Sequence, residues 1–240
     1  MRSARAALPQ NPSPESRVPS PVPTDHRSRF LQLALRADAL RFGEFTLKSG
    51  RSSPYFFNAG RFDSGAALAE LAACYADAID AAGVGFDLLF GPAYKGIPLA
   101  TALACEYARR GRDLPLAFNR KEAKAHGEGG RLIGAPLAGR RVLVVDDVIT
   151  AGTAIRESLA LIADAGGTAA GIVIALDRQE AVDPAVSRRS AAQSVSDAHG
   201  LPVIAVATLA DLLAFTGETS ELVDQRARLQ AYREAYGSRD

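Results

Sequence analysis

Residues 142–154 read VLVVDDVITAGTA. Val142–Val145 are apolar without alternation, so the strand they form is expected to be buried on both faces. Asp146 and Asp147 follow at its carboxyl end, and Thr150-Ala151-Gly152-Thr153 opens a helix predicted over 153–165 and stopped by Gly166-Gly167. A buried strand, a short turn and a helix make the unit of a parallel sheet. Reading outward, the same alternation recurs. Apolar runs at 86–90, 114–118, 170–176 and 203–207 predict strands, and helical periodicity covers 30–40, 66–82, 96–110 and 220–236. Residues 45–58 are aromatic and turn-rich, which predicts short strands joined around Ser49-Gly50. Residues 121–131 are polar and glycine-rich without a period, and are predicted to be a loop. The expected class is α/β, a parallel sheet flanked by helices, which binds ligands at the carboxyl ends of its strands.

The chemistry of 142–154 is specific. A helix N-terminus offers unpaired N–H groups and a positive dipole end, so it takes anions. Small residues let the backbone approach a phosphate, and the threonine hydroxyls add donors. Two aspartates beside an anion site are reasonable if the ligand carries hydroxyls next to its phosphate, because carboxylates accept hydrogen bonds from a diol. The segment therefore describes a clamp for a ribose 5-phosphate. A Walker B strand is the competing reading, but no Gly-Lys dipeptide occurs to supply its P-loop partner.

Five other segments carry candidate groups. GPAYKG, 91–96, follows a predicted strand and puts Tyr94 and Lys95 at the same rim, where it reads either as a second anion loop or as a plain Gly/Pro turn. NRKEAKAHGEGG, 119–130, gathers Arg120, Lys121, Lys124 and His126, and suits a cationic lid over an anionic leaving group or a solvated charged loop. FTLKSG and SPYFFNAG bring Lys48, Phe56 and Phe57 together, as a floor for a flat heterocycle or as ordinary core. LDRQE, 176–180, sets Arg178 just past a buried strand, where it could grip a carboxylate or cap the surface.

Composition narrows the class. The 240 residues carry a net charge of +1, so no global field points to nucleic acid or a membrane surface. No apolar run approaches the roughly 20 residues that span a bilayer. Cys74 and Cys105 lie in alanine-rich helical patterns without metal-ligand spacing, which fits reduced thiols in the cytoplasm. Only four lysines occur, Lys48, Lys95, Lys121 and Lys124, against 24 arginines. All four fall in the segments just described, where a compact ammonium suits phosphate. Residues 1–29 are expected to be a disordered Pro/Ser/Arg-rich tail lacking the apolar core of a signal peptide, ahead of a single domain at 30–240.

Together the motifs FTLKSG, SPYFFNAG, GPAYKG, NRKEAK, HGEGG, DDVITAGTA and LDRQE resemble the type I phosphoribosyltransferases, and among them the bacterial orotate phosphoribosyltransferases, from Phe30 to Tyr236. The resemblance implies a Rossmann-like sheet with a small N-terminal hood from about residues 30–65. It implies transfer of ribose 5-phosphate from phosphoribosyl diphosphate to N1 of orotate, giving orotidine 5′-monophosphate and diphosphate, with Mg²⁺ held mainly by substrate rather than by the protein. Carried over by motif, Lys48, Tyr94, Lys95, Arg120, Lys121, Lys124, His126, Asp146, Asp147 and the stretch Val148, Ile149, Thr150, Ala151, Gly152, Thr153 and Ala154 would bind the sugar diphosphate. Phe56, Phe57, Thr150 and Arg178 would receive orotate, and Lys121, Lys124, His126 and Asp147 would carry the catalytic work. It further implies a cytoplasmic homodimer with shared active sites, Lys121 acting in trans, a cis Ala93–Tyr94 peptide, and no nucleic-acid or membrane partner.

Overall fold

The computed structural model describes residues 25–47, 49–124, 130–150, 152–183, 186–218 and 222–238. Six strands form the main sheet: β3 (Leu88–Gly91), β4 (Leu116–Lys124), β5 (Gly130–Gly134), β6 (Arg141–Asp146), β7 (Thr168–Asp177) and β10 (Val203–Thr208). Their spatial order is β10-β7-β6-β3-β4-β5. All neighbours run parallel except β5, which pairs antiparallel with β4. The predicted burial of β6 on both faces holds. Leu143 and Val145 join the core on one side, with α1 (His26–Arg36), α2 (Gly65–Ala82), α3 (Gly96–Arg109), α6 (Leu209–Glu218) and α7 (Val223–Tyr236). Val142 and Val144 join the core on the other side, with α4 (Thr153–Asp164) and α5 (Ala191–His199).

An antiparallel pair, β1 (Leu40–Thr46) and β2 (Ser52–Phe57), stands apart from the main sheet, in register from Leu40↔Phe57 to Thr46↔Ser52. A second small hairpin joins β8 (Ala181–Asp183) to β9 (Ser187–Ser190).

Three expectations need correction. The chain is helical from His26, not from Phe30, because the Asp25 carboxylate accepts from the Ser28 amide and caps α1, so 25–29 belong to the domain rather than to a tail. The predicted loop at 121–131 is strand at both ends, with 125–129 outside the described residues: β4 runs to Lys124 and β5 starts at Gly130, with Asn119↔Leu132 and Lys124↔Gly130 in register. An edge hairpin with exposed Lys121 and Glu122 shows little apolar period, so the pattern hid it. The sheet is accordingly mixed at that edge. The helices α5 and α6 were not foreseen, although Ser190 and Gln193 form a capping box ahead of α5.

The order β6-β3 marks where the sheet reverses direction of growth. From β3 the chain crosses by α3 to β4, and from β6 by α4 to β7, on opposite faces. The crevice between the ends of β3 and β6 is therefore the topological switch point. Gly96 makes it tight: a β-carbon there would lie 2.5 Å from Pro92 Cδ and 2.7 Å from the Val145 carbonyl oxygen. Gly96→Ala is expected to lose about 1–3 kcal/mol in urea denaturation through overpacking. Gly65→Ala, with nothing within 4 Å of its added methyl, should not be destabilised in the same assay.

Candidate active site

Asp146 ends β6 and Asp147 follows it at the switch point, 9% and 6% exposed. Several bonds fix them there. The Asp147 amide donates to Asp146 Oδ1 at 2.9 Å, and Tyr75 of α2 donates its hydroxyl to the Asp146 carbonyl at 2.8 Å. The Asp147 carbonyl accepts from the Ala175 amide of β7 at 2.9 Å. Burial, followed by the neighbouring charge of Asp147, pushes the Asp146 carboxyl from 3.8 up to about 7. Lys95 Nζ lies 2.6 Å from Asp147 Oδ2, so one carboxylate of the pair already has a cationic partner.

Beyond the acids, Val148 and Ile149 are half-buried and Thr150 is exposed. Gly152 caps α4 in the left-handed region at φ 70°, and Thr153 and Ala154 open the helix with exposed side chains. The first turn therefore faces outward with its amides uncapped by any side chain, which is the anion-binding form of a helix start. A cleft of about 590 Å³ runs over this turn. Asp146 and residues 148–150 and 152–154 line it, together with Pro92 and Ala93 from one side and Asn119, Lys121 and Arg131 from another.

The loop after β3 is held by a residue the sequence reading passed over. Asn119 Oδ1 accepts from the Ala93 amide at 2.9 Å, tying 91–96 to β4. Asn119 is 9% exposed, and in sequence it is merged with the polar run Arg120-Lys121-Glu122, so nothing local set it apart. The Ala93–Tyr94 peptide is cis, as the resemblance implied. Tyr94 is 66% exposed, and Lys121 Nζ stands 4.8 Å from its ring centroid. Arg120 Nη1 is buried without a hydrogen-bond partner among the described residues.

The acceptor candidates sit on β2 and past β7. Adjacent strand residues point to opposite faces, so Phe56 and Phe57 do not form one floor. Phe57 packs on Phe30 and Phe62 with centroids 6.0 and 6.3 Å away, whereas Phe56 meets Phe45 at 5.5 Å. Arg178 is 17% exposed and already paired: Nε donates to Glu180 Oε1 at 2.7 Å and Nη2 to Ser53 Oγ at 3.1 Å. Ser53 lies three residues before Phe56, so this bond joins the hood pair to the end of β7. Neither Ser53 nor Glu180 was singled out from sequence. Arg178, Phe56 and Phe57 do not line the cleft, and Lys95 reaches its acids from beside it. Lys48, His126 and Ala151 lie outside the described residues, as does the side chain of Lys124.

Among the described residues no group of three or more His, Cys, Asp or Glu could hold a metal, and no helix is long and apolar enough to cross a membrane.

Comparison with known proteins agrees with this geometry. The phosphoribosyl transferase domain model matches residues 62–196, from the hood's edge through the acid pair to α5. An orotate phosphoribosyltransferase of Xanthomonas oryzae pv. oryzae is 75% identical over 215 residues, spanning 90% of this chain and 98% of its own length. That of Stenotrophomonas maltophilia K279a is 72% identical over 216 residues, with the same coverage of 90% and 98%. Among solved structures, the orotate phosphoribosyltransferase of Francisella tularensis superposes with a TM-score of 0.78 at 43% identity, over 87% of this chain and 99% of its own. The enzyme of Mycobacterium tuberculosis H37Rv in complex with 5-phospho-α-D-ribosyl 1-diphosphate gives 0.58 at 25% identity, over 77% and 98%. Identity this deep, over nearly all of each relative, leaves one conclusion: the chain belongs to the orotate phosphoribosyltransferases, transferases of the phosphoribosyl transferase family.

Proposed function

We propose that the switch-point crevice binds phosphoribosyl diphosphate and transfers its ribose 5-phosphate to N1 of orotate, releasing diphosphate. The observation that carries this reading is the buried pair Asp146–Asp147 directly ahead of an uncapped helix start. The two carboxylates accept from the ribose 2′- and 3′-hydroxyls, and the amides of 148–154 take the 5′-phosphate. The N1–C1′ bond forms as the C1′–oxygen bond breaks; the electron pair leaves with diphosphate, and the N1 proton passes to that leaving group or to water. Positive charge develops on the ribose ring and negative charge on the leaving group. The two buried acids lie against the first. Lys95, Arg120, Lys121, Lys124 and His126 serve the second. Nη1 of Arg120, buried and without a hydrogen-bond partner among the described residues, supports an anionic ligand on that side. Arg178, Thr150 and the strand carrying Phe56 and Phe57 receive orotate.

The donor set fits Mg²⁺ held mainly through substrate. Two carboxylates meet at the site and one is paired with Lys95, too few for a protein cage. Mg²⁺ keeps water and phosphate ligands readily, and when bound it neutralises the diphosphate. The working unit is a homodimer in which the β4–β5 hairpin, free at the sheet edge, completes the neighbour's site. The free thiols Cys74 and Cys105 fit a reducing cytoplasm.

Loss of orotate absorbance on adding phosphoribosyl diphosphate and Mg²⁺ tests the reaction directly, and folded protein that consumes no orotate refutes it. In the same assay Lys124→Ala and His126→Ala should each lower kcat by about 10²–10³-fold. Lid sharing is tested by mixing and reassociating inactive Asp147→Asn and Lys121→Ala proteins. Half of the dimers are then mixed, each with one intact site, so activity should recover to about a quarter of wild type. No recovery means the hairpin serves its own chain.

The raised Asp146 carboxyl gives a pH prediction. Its folded value, about 7, lies above the ordinary 3.8, so ionisation costs the folded state more than the unfolded one. Below about pH 4 both states are protonated and the residue costs nothing. The cost grows as pH rises to 7 and is complete above it. Asp146→Asn should therefore raise Tm at pH 8 while weakening phosphoribosyl diphosphate binding. A Tm gain that stays the same at pH 4 would rule out ionisation as its cause.

A further inference from the structure

We infer that Glu180 is a positioning residue for the acceptor: it locks the Arg178 guanidinium so that only its Nη1 edge is presented to the carboxylate of the incoming base. The inference rests on the proposed role of Arg178 in binding orotate.

Arg178 carries five N–H donors in a rigid fork. Glu180 Oε1 takes Nε at 2.7 Å and lies 2.6 Å from Nη2, which also donates to Ser53 Oγ at 3.1 Å. The Tyr55 ring covers one face of the fork, with its centroid 4.3 Å from Cζ. Ser53 is itself directed, because its hydroxyl donates to the Tyr55 carbonyl at 2.7 Å. Among the described residues no hydrogen bond engages Nη1, and it is not one of the buried unpartnered atoms, so this edge is the one left for a ligand, beside the Tyr232 hydroxyl that interacts with both Arg178 and Glu180.

The turn is built for this pairing. Gln179, between the two charged residues, is held at φ 48°, a conformation that a non-glycine residue keeps only where its surroundings impose it. Its amide donates to Asp177 Oδ1 at 2.8 Å and its side chain accepts from the Ala210 amide at 2.9 Å. From the other side, Glu180 bridges to Gly237, and the Ser238 amide donates to the Gln179 carbonyl at 2.7 Å. Arg178 and Glu180, 17% and 14% exposed, thus turn toward each other by backbone geometry rather than by chance contact.

Stability alone explains such a pair poorly, since desolvation offsets most of the attraction between buried charges. Selection of an acceptor explains it well. With Glu180 balancing its charge, the guanidinium attracts anions in general only weakly. A planar base gains a bond only if its carboxylate meets the fixed Nη1 edge. Free rotation of Arg178 would blur that choice.

Steady-state kinetics on the full-length protein separate the possibilities. Glu180→Ala should raise the KM for orotate about tenfold, the scale of one misdirected charge-assisted hydrogen bond, with the KM for phosphoribosyl diphosphate unchanged and kcat within about threefold. Glu180→Gln keeps an oxygen for Nε and should restore the KM for orotate to within about threefold of wild type. Should Glu180→Ala fail to fold, Ser53→Ala removes the other anchor of Nη2 and should raise the same KM with the same selectivity for orotate. An unchanged or lowered KM for orotate in these variants overturns the inference, as does an equal rise in both KM values. Arg178→Lys is the control for the reading beneath it. If that variant leaves the KM for orotate unaltered, Arg178 is not the carboxylate ligand at all, whereas a raised KM there with a silent Glu180→Ala removes only the positioning role.

Discussion

Holding two carboxylates out of water at the end of a buried strand is the constraint around which this molecule is arranged. An isolated buried carboxylate is costly, and Asp146 answers by favouring its proton while Asp147 takes Lys95. The supporting elements come from far apart in the chain. Tyr75 reaches from α2, Ala175 donates from β7, and Lys95 arrives from the loop after β3. The sheet's change of direction between β3 and β6 makes this possible, because it leaves a gap at one rim without breaking either core.

The acid pair is thus close to electrically balanced within itself. A ligand bearing both hydroxyls and phosphates changes every term at once. Its diol replaces the missing hydration of the acids, and its phosphates offer Lys95 an alternative to Asp147. Affinity and stability pull against each other at this point: a group that is poorly solvated within the protein is the one that gains most from a ligand offering hydroxyls.

How much of this could be read from residues alone depended on burial. The strand 142–146 and the helix after it were legible because both faces of one and one face of the other are apolar, and the small-residue turn between them admits few uses. The scarcity of lysine likewise pointed to Lys95 and Lys121, both of which meet site residues. The β4–β5 hairpin was not legible, since an exposed edge is written in polar residues that look like a loop. The Phe56-Phe57 pair misled for the opposite reason: two aromatics in sequence suggest one surface, whereas the strand turns them apart. Asn119, Ser53 and Glu180 escaped because each works through a partner distant in sequence or through a turn geometry that no local pattern encodes.

The stitch between Gln179–Glu180 and Gly237–Ser238 has a bearing on how the site is assembled. The rim around the acid pair is assembled mostly from residues 91–177, with Tyr75 reaching in from α2. The corner around Arg178 is closed by Gly237 and Ser238, far from it in the chain, and by Tyr232 of α7 standing against Tyr55. The crevice at Asp146–Asp147 can therefore take shape from neighbouring βαβ units, whereas the corner around Arg178 waits on a closure by residues distant from it in the chain.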